Sequence, residues 1–294
     1  MTERSERRRG LLYGVAAYGL WGIVPLFWKQ LASVDPVEVL AHRAVWGLFV
    51  FGALVWLAAA GPALRAALRD RRTLAVMALS SALLAVNWGV FVGAVSSGHL
   101  LEASLGYFIN PLVSVALGML VLGERLRRLQ CLAIACAVAG VALLTWRAGR
   151  VPWISFVLAA SFGGYGLVRK LARVDSLVGS TIETILMFPI AAVYLAVLAA
   201  RGGGALGHAE LSISLLLVAT GVVTAGPLLL FTSAARRLPL STVGFLQYLA
   251  PTGQFLIAVL AFHEAFAPDK LVAFGMIWTG LIVFSIDLWR APAR

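Results

Sequence analysis

The sequence predicts an all-α integral membrane protein whose ten transmembrane helices form two inverted five-helix repeats. Three observations carry that prediction. Of the 294 residues, 61% are apolar and 13% charged, against about 25% charged in soluble domains, and the apolar runs are long enough to cross roughly 30 Å of hydrocarbon. Lys and Arg gather on alternate connections between those runs. Span starts and several uncommon residues recur at a constant offset of 140 residues.

The elements follow in order from Arg/Lys clusters, Gly/Pro breaks and the ~20 apolar residues that a spanning helix needs. Residues 1–10, MTERSERRRG, read as a cytoplasmic tail, too polar and too short for a cleaved signal peptide ahead of a full-length span. Residues 11–147 make the first repeat, with spans at 11–31, 37–60, 73–95, 101–122 and 130–147. Residues 151–290 make the second, with spans at 151–171, 177–200, 211–235, 240–262 and 271–290.

Counted on alternate sides, eighteen of the 24 Lys and Arg lie with the N terminus. Five lie opposite (Lys29, Arg147, Arg150, Arg201 and Lys270), and Arg43 falls inside the second span. Cytoplasmic loops retain positive charge, which places both termini in the cytoplasm. The same distribution accounts for the net charge of +11 without a nucleic-acid partner, because the basic residues flank spans and form no groove with interleaved aromatics.

Span starts at 11, 37, 101 and 130 return at 151, 177, 240 and 271. Val34-Asp35 recurs as Val174-Asp175, Pro111 as Pro251, Glu124 as Glu264 and Gly140 as Gly280. An odd number of helices per unit turns the second copy upside down. That is an architecture of secondary transporters, whose site lies near the midplane between repeats.

Pro111 and Pro251 fall mid-span, where proline cannot donate to the carbonyl four residues back and kinks the helix. The freed carbonyls belong to Tyr107 and Gln247, and at membrane depth they need protein or a wet cavity. Tyr107, Asn110, Gln247 and Tyr248 beside them suit the orientation of a small organic solute, the alternative being a packing kink. Trp21 with Pro25, and Asn87-Trp88, add stacking faces and hydrogen-bonding groups, although membrane tryptophans also sit at interfaces. Tyr165 lies in Gly163-Gly164-Tyr165-Gly166, glycines that either hinge or allow close helix packing.

Ionisable residues within spans are functional candidates by default. His42, Arg43 and Glu183 are the candidates for gating or coupling, and Glu102 sits near the outer end of its span. Arg43 and Glu183 occupy equivalent repeat positions, yet inversion puts each about 9 Å from opposite faces and leaves about 12 Å between their levels. They read as separate gates, or each has a local partner. Arg43 attracts a substrate carboxylate or snorkels to the interface. Glu183 couples to protons or gates the cytoplasmic side, whereas Glu124 and Glu264 at span ends anchor loops.

Soluble-enzyme signatures are missing from the sequence: no Walker lysine loop, no dinucleotide fingerprint and no paired-His zinc motif. Cys131 and Cys136, five apart in one run, fit neither a metal site nor a disulfide. No metal and no cofactor are expected, and uphill movement would draw on an ion or solute gradient or on another protein. Cys136 and Gly140 are small enough for a helix contact, in a homodimer or within one chain.

Several strings together resemble one family. They are Ala17-Tyr18 through Trp21-Gly22-Ile23 and Pro25, His42-Arg43 with Trp46, Asn87-Trp88, EASLGYFINPL from Glu102, LGERLRR from Leu122, GLVRK from Gly166, Ile182-Glu183-Thr184 and PLSTVGFLQYLAPT from Pro239. With them the chain resembles, over nearly its whole length, the RarD group of EamA-type permeases in the drug/metabolite transporter superfamily. The resemblance implies a bacterial plasma (inner) membrane permease of two EamA repeats, linked by name to chloramphenicol sensitivity. The expected partners are a small-molecule solute and the lipid bilayer. Two rivals remain: a membrane-embedded enzyme on lipid-linked substrates, and a non-transporting sensor or partner protein.

Overall fold

The computed structural model describes residues 3–147, 153–261 and 268–290. Its helices are α1 (Glu3–Ile23), α2 (Pro25–Gln30), α3 (Pro36–Leu57), α4 (Gly61–Arg69), α5 (Arg71–Ser96), α6 (Leu100–Leu122) and α7 (Arg128–Arg147). After 148–152 follow α8 (Trp153–Leu171), α9 (Ser176–Ala200), α10 (Leu211–Arg237), α11 (Leu240–Leu246), α12 (Leu249–Leu260) and α13 (Pro268–Arg290). Among the described residues every regular element is helical. Seven helical stretches among them are long and apolar enough to cross a membrane: Ser5–Gln30, Pro36–Leu57, Arg71–Ser96, Glu102–Leu122, Arg128–Trp146, Ser176–Ala200 and Leu211–Arg237. Leu120, Ile190, Leu215 and Val222 point large apolar side chains outward, as a lipid-facing surface requires.

Boundaries differ from the sequence expectation in three places, each with a local cause. The polar stretch expected as a tail is helical from Glu3, with Arg9 paired to Glu6 one turn back at 3.8 Å. A short helix, α4, follows the second span; Arg65 and Arg69 lie on it, and Asp70 ends it. The first and ninth spans are interrupted, at Val24 ahead of Pro25 and at Gln247-Tyr248 ahead of Pro251, because proline removes a donor and crowds the preceding turn.

The recurring residues do matching structural work. Asp35 caps α3 by accepting from Val37 N at 2.8 Å, and Asp175 caps α9 by accepting from Leu177 N at 2.8 Å. Side-chain caps of this kind satisfy helix-start donors that otherwise lack partners. Val34 and Val174, beside them, are buried. Glu264, the counterpart of Glu124, lies outside the described residues.

The two halves of the chain interleave and do not fold apart. α1 packs on α10 and α12, α3 on α9 and α10, α5 on α8 and α9, α6 on α8 and α11, and α7 on α13. The α7–α13 contact is reciprocal. A Cβ on Gly140 would lie 2.8 Å from the Ala273 carbonyl oxygen, and one on Gly280 would lie 2.6 Å from that of Ala133. Both pairs are related by 140 residues, and only glycine permits this backbone approach. Gly140 is therefore committed to a contact within the chain and lends no support to a homodimer.

Candidate functional site

A cavity of about 490 Å³ lies on the seam between the halves, within the range of about 300–1,000 Å³ usual for small-molecule sites. One wall comes from α1, α2, α3, α5 and α6, the other from α8, α10, α12 and the α11–α12 break. Trp21, Asn87, Trp88, Tyr107, Asn110 and Gln247 all line it. Pro251 lines it too, whereas Pro111 faces away, its carbonyl against Gly244 of α11.

Tyr165 and Tyr248, expected in the lining, are placed elsewhere. Tyr165 is stacked under Phe231 with ring centres 5.7 Å apart, behind a floor of Tyr18 and Phe162. The glycines around it allow packing and provide no visible hinge: Gly163 sits against Val113 and Gly166 against Phe231. Tyr248 turns onto α6, where its hydroxyl donates to the Phe108 carbonyl at 3.3 Å. Successive helical residues point about 100° apart, so the break that aims Gln247 at the cavity aims its neighbour away. The Gln247 carbonyl, expected to be freed by Pro251, accepts instead from Ala250 N at 3.1 Å.

Arg43 enters the cavity and does not snorkel away. Its Nε–H donates to Thr224 Oγ1 at 3.0 Å, and its guanidinium carbon lies 4.5 Å from the Trp88 ring centre and 5.1 Å from that of Trp28. These are cation–π distances. Among the described residues no carboxylate pairs with it.

Other polar groups are partly committed. Asn87 donates its amide to the Leu158 carbonyl at 2.9 Å and to Ser161 Oγ at 3.1 Å, which joins α5 to α8 and leaves its oxygen for the cavity. Gln247 donates to Ser114 Oγ at 3.2 Å, while its Oε1, the Asn110 Oδ1 and the Tyr18 hydroxyl are buried with no hydrogen-bond partner. Buried groups left unpaired cost about 1–3 kcal/mol each.

The remaining ionisable candidates lie away from the cavity. Glu183 is fully buried in a cluster with Arg169, whose Nη1 is 3.4 Å from Oε1. Ser80 donates to Oε1 at 2.5 Å and Tyr165 to Oε2 at 3.3 Å. Arg169 also donates to the Ser176 carbonyl at 3.1 Å, and Gly179, lacking a Cβ, leaves room for its guanidinium. Glu183 thus has a local partner, on the far side of the aromatic floor. His42 accepts from Trp46 Nε1 at 3.2 Å and sits 3.6 Å from Glu38, whose carboxylate accepts from Ala205 N. Glu124, expected to anchor a loop, accepts from Leu240 N at 2.6 Å and Ser241 N at 2.9 Å and so caps α11.

Sequence reasoning missed Tyr18, Trp28, Phe162, Thr224 and Gln254 in the lining, and it missed Arg169 as a buried ion. Tyr18, Trp21, Pro25 and Trp28 follow a 3-4-3 spacing, the stripe of one helical face, and that signal was available. Tyr165 and Arg169 are likewise four apart, on one face of α8.

The EamA-like transporter family matches residues 8–146. "Protein RarD" of Streptomyces exfoliatus is 46% identical over 294 residues, covering 100% of this chain and 93% of that protein. "Chloramphenicol-sensitive protein RarD" of Pseudomonas aeruginosa is 35% identical, covering 97% of each. A solved structure described only as a crystal structure of a protein superposes with a TM-score of 0.73 at 22% identity, over 96% of this chain and 99% of that one; it speaks to the fold alone.

Proposed function

This chain belongs to the EamA-like transporter family as a RarD-type permease, and from that premise we propose that it is a secondary transporter moving a small organic solute by alternating access. The reading includes ten crossings in two inverted five-helix repeats, a bacterial inner-membrane location and cytoplasmic termini. Its support is the packing itself. Exchanging α1 with α8, α3 with α9, α5 with α10, α6 with α11–α12 and α7 with α13 turns α1–α10 into α5–α8, α3–α10 into α5–α9 and α1–α12 into α6–α8, and returns α3–α9, α6–α11 and α7–α13 to themselves. The matched caps at Asp35 and Asp175 and the reciprocal Gly140 and Gly280 contacts obey the same exchange. The bias of eighteen basic residues against five favours the orientation.

One observation carries the function: a cavity of about 490 Å³ on the seam between the halves, lined from both, with Arg43, Asn87, Asn110 and Gln247 in a mainly aromatic wall. The cavity lies toward the end where α1 finishes and α3, α6 and α8 start, so in the proposed orientation it faces outward. His42, Arg43 and Glu183 then divide: Arg43 serves the solute, Glu183 the closed cytoplasmic side, and His42 an outer structural contact. The enzyme rival needs convergent acid, base or nucleophile groups, and the lining holds no carboxylate, His or Cys.

Purified protein in liposomes tests this. Labelled amino acids and chloramphenicol, the latter suggested by the name of the Pseudomonas relative, are screened for flux with and without a proton gradient. Flux of at least one solute, reduced at least tenfold by Trp88→Ala, is expected. Phospholipid turnover without flux favours the enzyme, and undiminished function in Asn110→Leu and Gln247→Leu favours the partner protein.

A further inference from the structure

Resting on the transport reading for its biological role, we propose that the cavity selects organic anions: amphipathic carboxylates whose charged group docks on Arg43 and whose apolar body lies against the aromatic walls. The argument starts from the guanidinium. It has five N–H donors, of which one is used, on Thr224. Thr224 comes from α10 and Arg43 from α3, so the bond fixes the side chain between the two halves. The Trp28 and Trp88 ring centres lie 5.1 and 4.5 Å from its central guanidinium carbon. The terminal N–H groups remain, oriented and without a carboxylate among the described residues.

A partly buried charge held this way gains from a partner that pairs with it. Indole faces compensate in part, and a carboxylate matching the guanidinium fork compensates fully. Among the described residues that line the cavity there is no Asp or Glu, and Arg43 stands in its wall, so the guanidinium attracts anions and repels cations. Tyr107 lines the same cavity as Arg43. Asn110 and Gln247 add uncharged polar side chains to the wall. A carboxylate pairs with Arg43; a neutral or cationic solute leaves Arg43 unpaired.

The test uses purified full-length protein in lipid nanodiscs and three probes of one shape: 3-phenylpropanoate, 3-phenylpropanamide and 3-phenylpropylammonium. Binding is read from quenching of the tryptophans, Trp21, Trp28 and Trp88 being in the cavity wall. Expected is at least about tenfold tighter binding of the acid than of the amide, as a charge-assisted bond provides, with the ammonium weakest. Arg43→Gln brings acid and amide within about twofold, whereas Arg43→Lys and Trp88→Phe keep the acid preferred. Thermal unfolding confirms that each variant is folded, and the acid-to-amide ratio separates anion recognition from a packing role. Equal binding of acid and amide, no acid binding, or an unchanged ratio in Arg43→Gln overturns the proposal. Flux of the same acid in liposomes is scored separately. Acid-selective binding without flux sinks the transport reading and supports the anion site; flux of neutral solutes alone, without acid binding, does the reverse.

Discussion

Where α1 ends and α3, α6 and α8 begin, side chains stand apart around a cavity; where α1 begins, they are tied together. At the tied end Glu124 caps α11, Lys170 donates to the carbonyls of Leu238 and Ala235, Arg237 bonds Glu6 at 2.9 Å, and Arg169 is buried on Glu183. The Glu124, Glu6 and Ser80–Glu183 bonds each join the first half of the chain to the second. The open end is also crossed by bonds between the halves, from Arg43 to Thr224, from Asn87 to Ser161 and from Ala205 N to Glu38, but there the helices part around a cavity. On the inverted-repeat reading proposed above, the two ends are built from equivalent helices, so what separates them is the state in which the polar bonds are made. The proposed alternating access then requires the ties at one end to break as the cavity at the other end closes.

The largest effect is expected at the deepest tie. Arg169→Met leaves the Glu183 carboxylate buried without its cation, and removing one partner of a buried ion pair costs about 3–5 kcal/mol. Thermal and denaturant unfolding in detergent measure this, and Glu183→Gln in the same chain recovers most of it. A single variant as stable as the native protein means that the tie is not structural. Next comes the seam shared by both ends. Gly140→Ala and Gly280→Ala each drive a Cβ onto a backbone oxygen, which cannot swing aside, at about 1–3 kcal/mol for an overpacked contact. The two losses should be similar in size and less than additive together, since they strain one interface. A twofold or larger difference between them breaks the equivalence of the halves.

Much of this was legible in the sequence because membrane spans obey a length requirement and a charge rule. Predicted and observed helices mostly agree within three residues, and the structure brings Trp21, Asn87, Trp88, Tyr107, Asn110 and Gln247 to one cavity. The failures share a cause: position along a span fixes depth but not the direction a side chain points. Tyr248 sits at the right depth and faces α6. Tyr165 lies under the floor for the same reason. Arg169 lies in a run, GLVRK, whose charge also serves topology, and nothing local separates it from Lys170, one residue on and half exposed. Its burial depends on Glu183 and Gly179 arriving from another helix, a tertiary fact. Helix caps were open to reading at Asp35 and Asp175; Glu124 was not, because the helix that it caps is 116 residues away.

The smaller predictions concern those caps at the tied end. Glu124→Gln keeps an acceptor for one of the two amides of α11 and loses the charge, so a loss of about 1 kcal/mol is expected, in the range for N-caps. Outward cavity binding of 3-phenylpropanoate should weaken as the tied end loosens. Asp70, which caps α5 from the surface, gives the smallest effect and a defined pH dependence. The Thr73 hydroxyl and then the Thr73 amide hold its carboxyl below the usual carboxylate range. A lowered folded value means that the cap's contribution is fully present above the ordinary value of about 3.9 and is lost as pH falls through the folded value. Unfolding midpoints followed from neutral pH downward should therefore match between native protein and Asp70→Asn in slope until about pH 4, where the native protein alone begins to lose this increment. A divergence already at neutral pH would mean that Asp70 acts through a charge contact other than its cap.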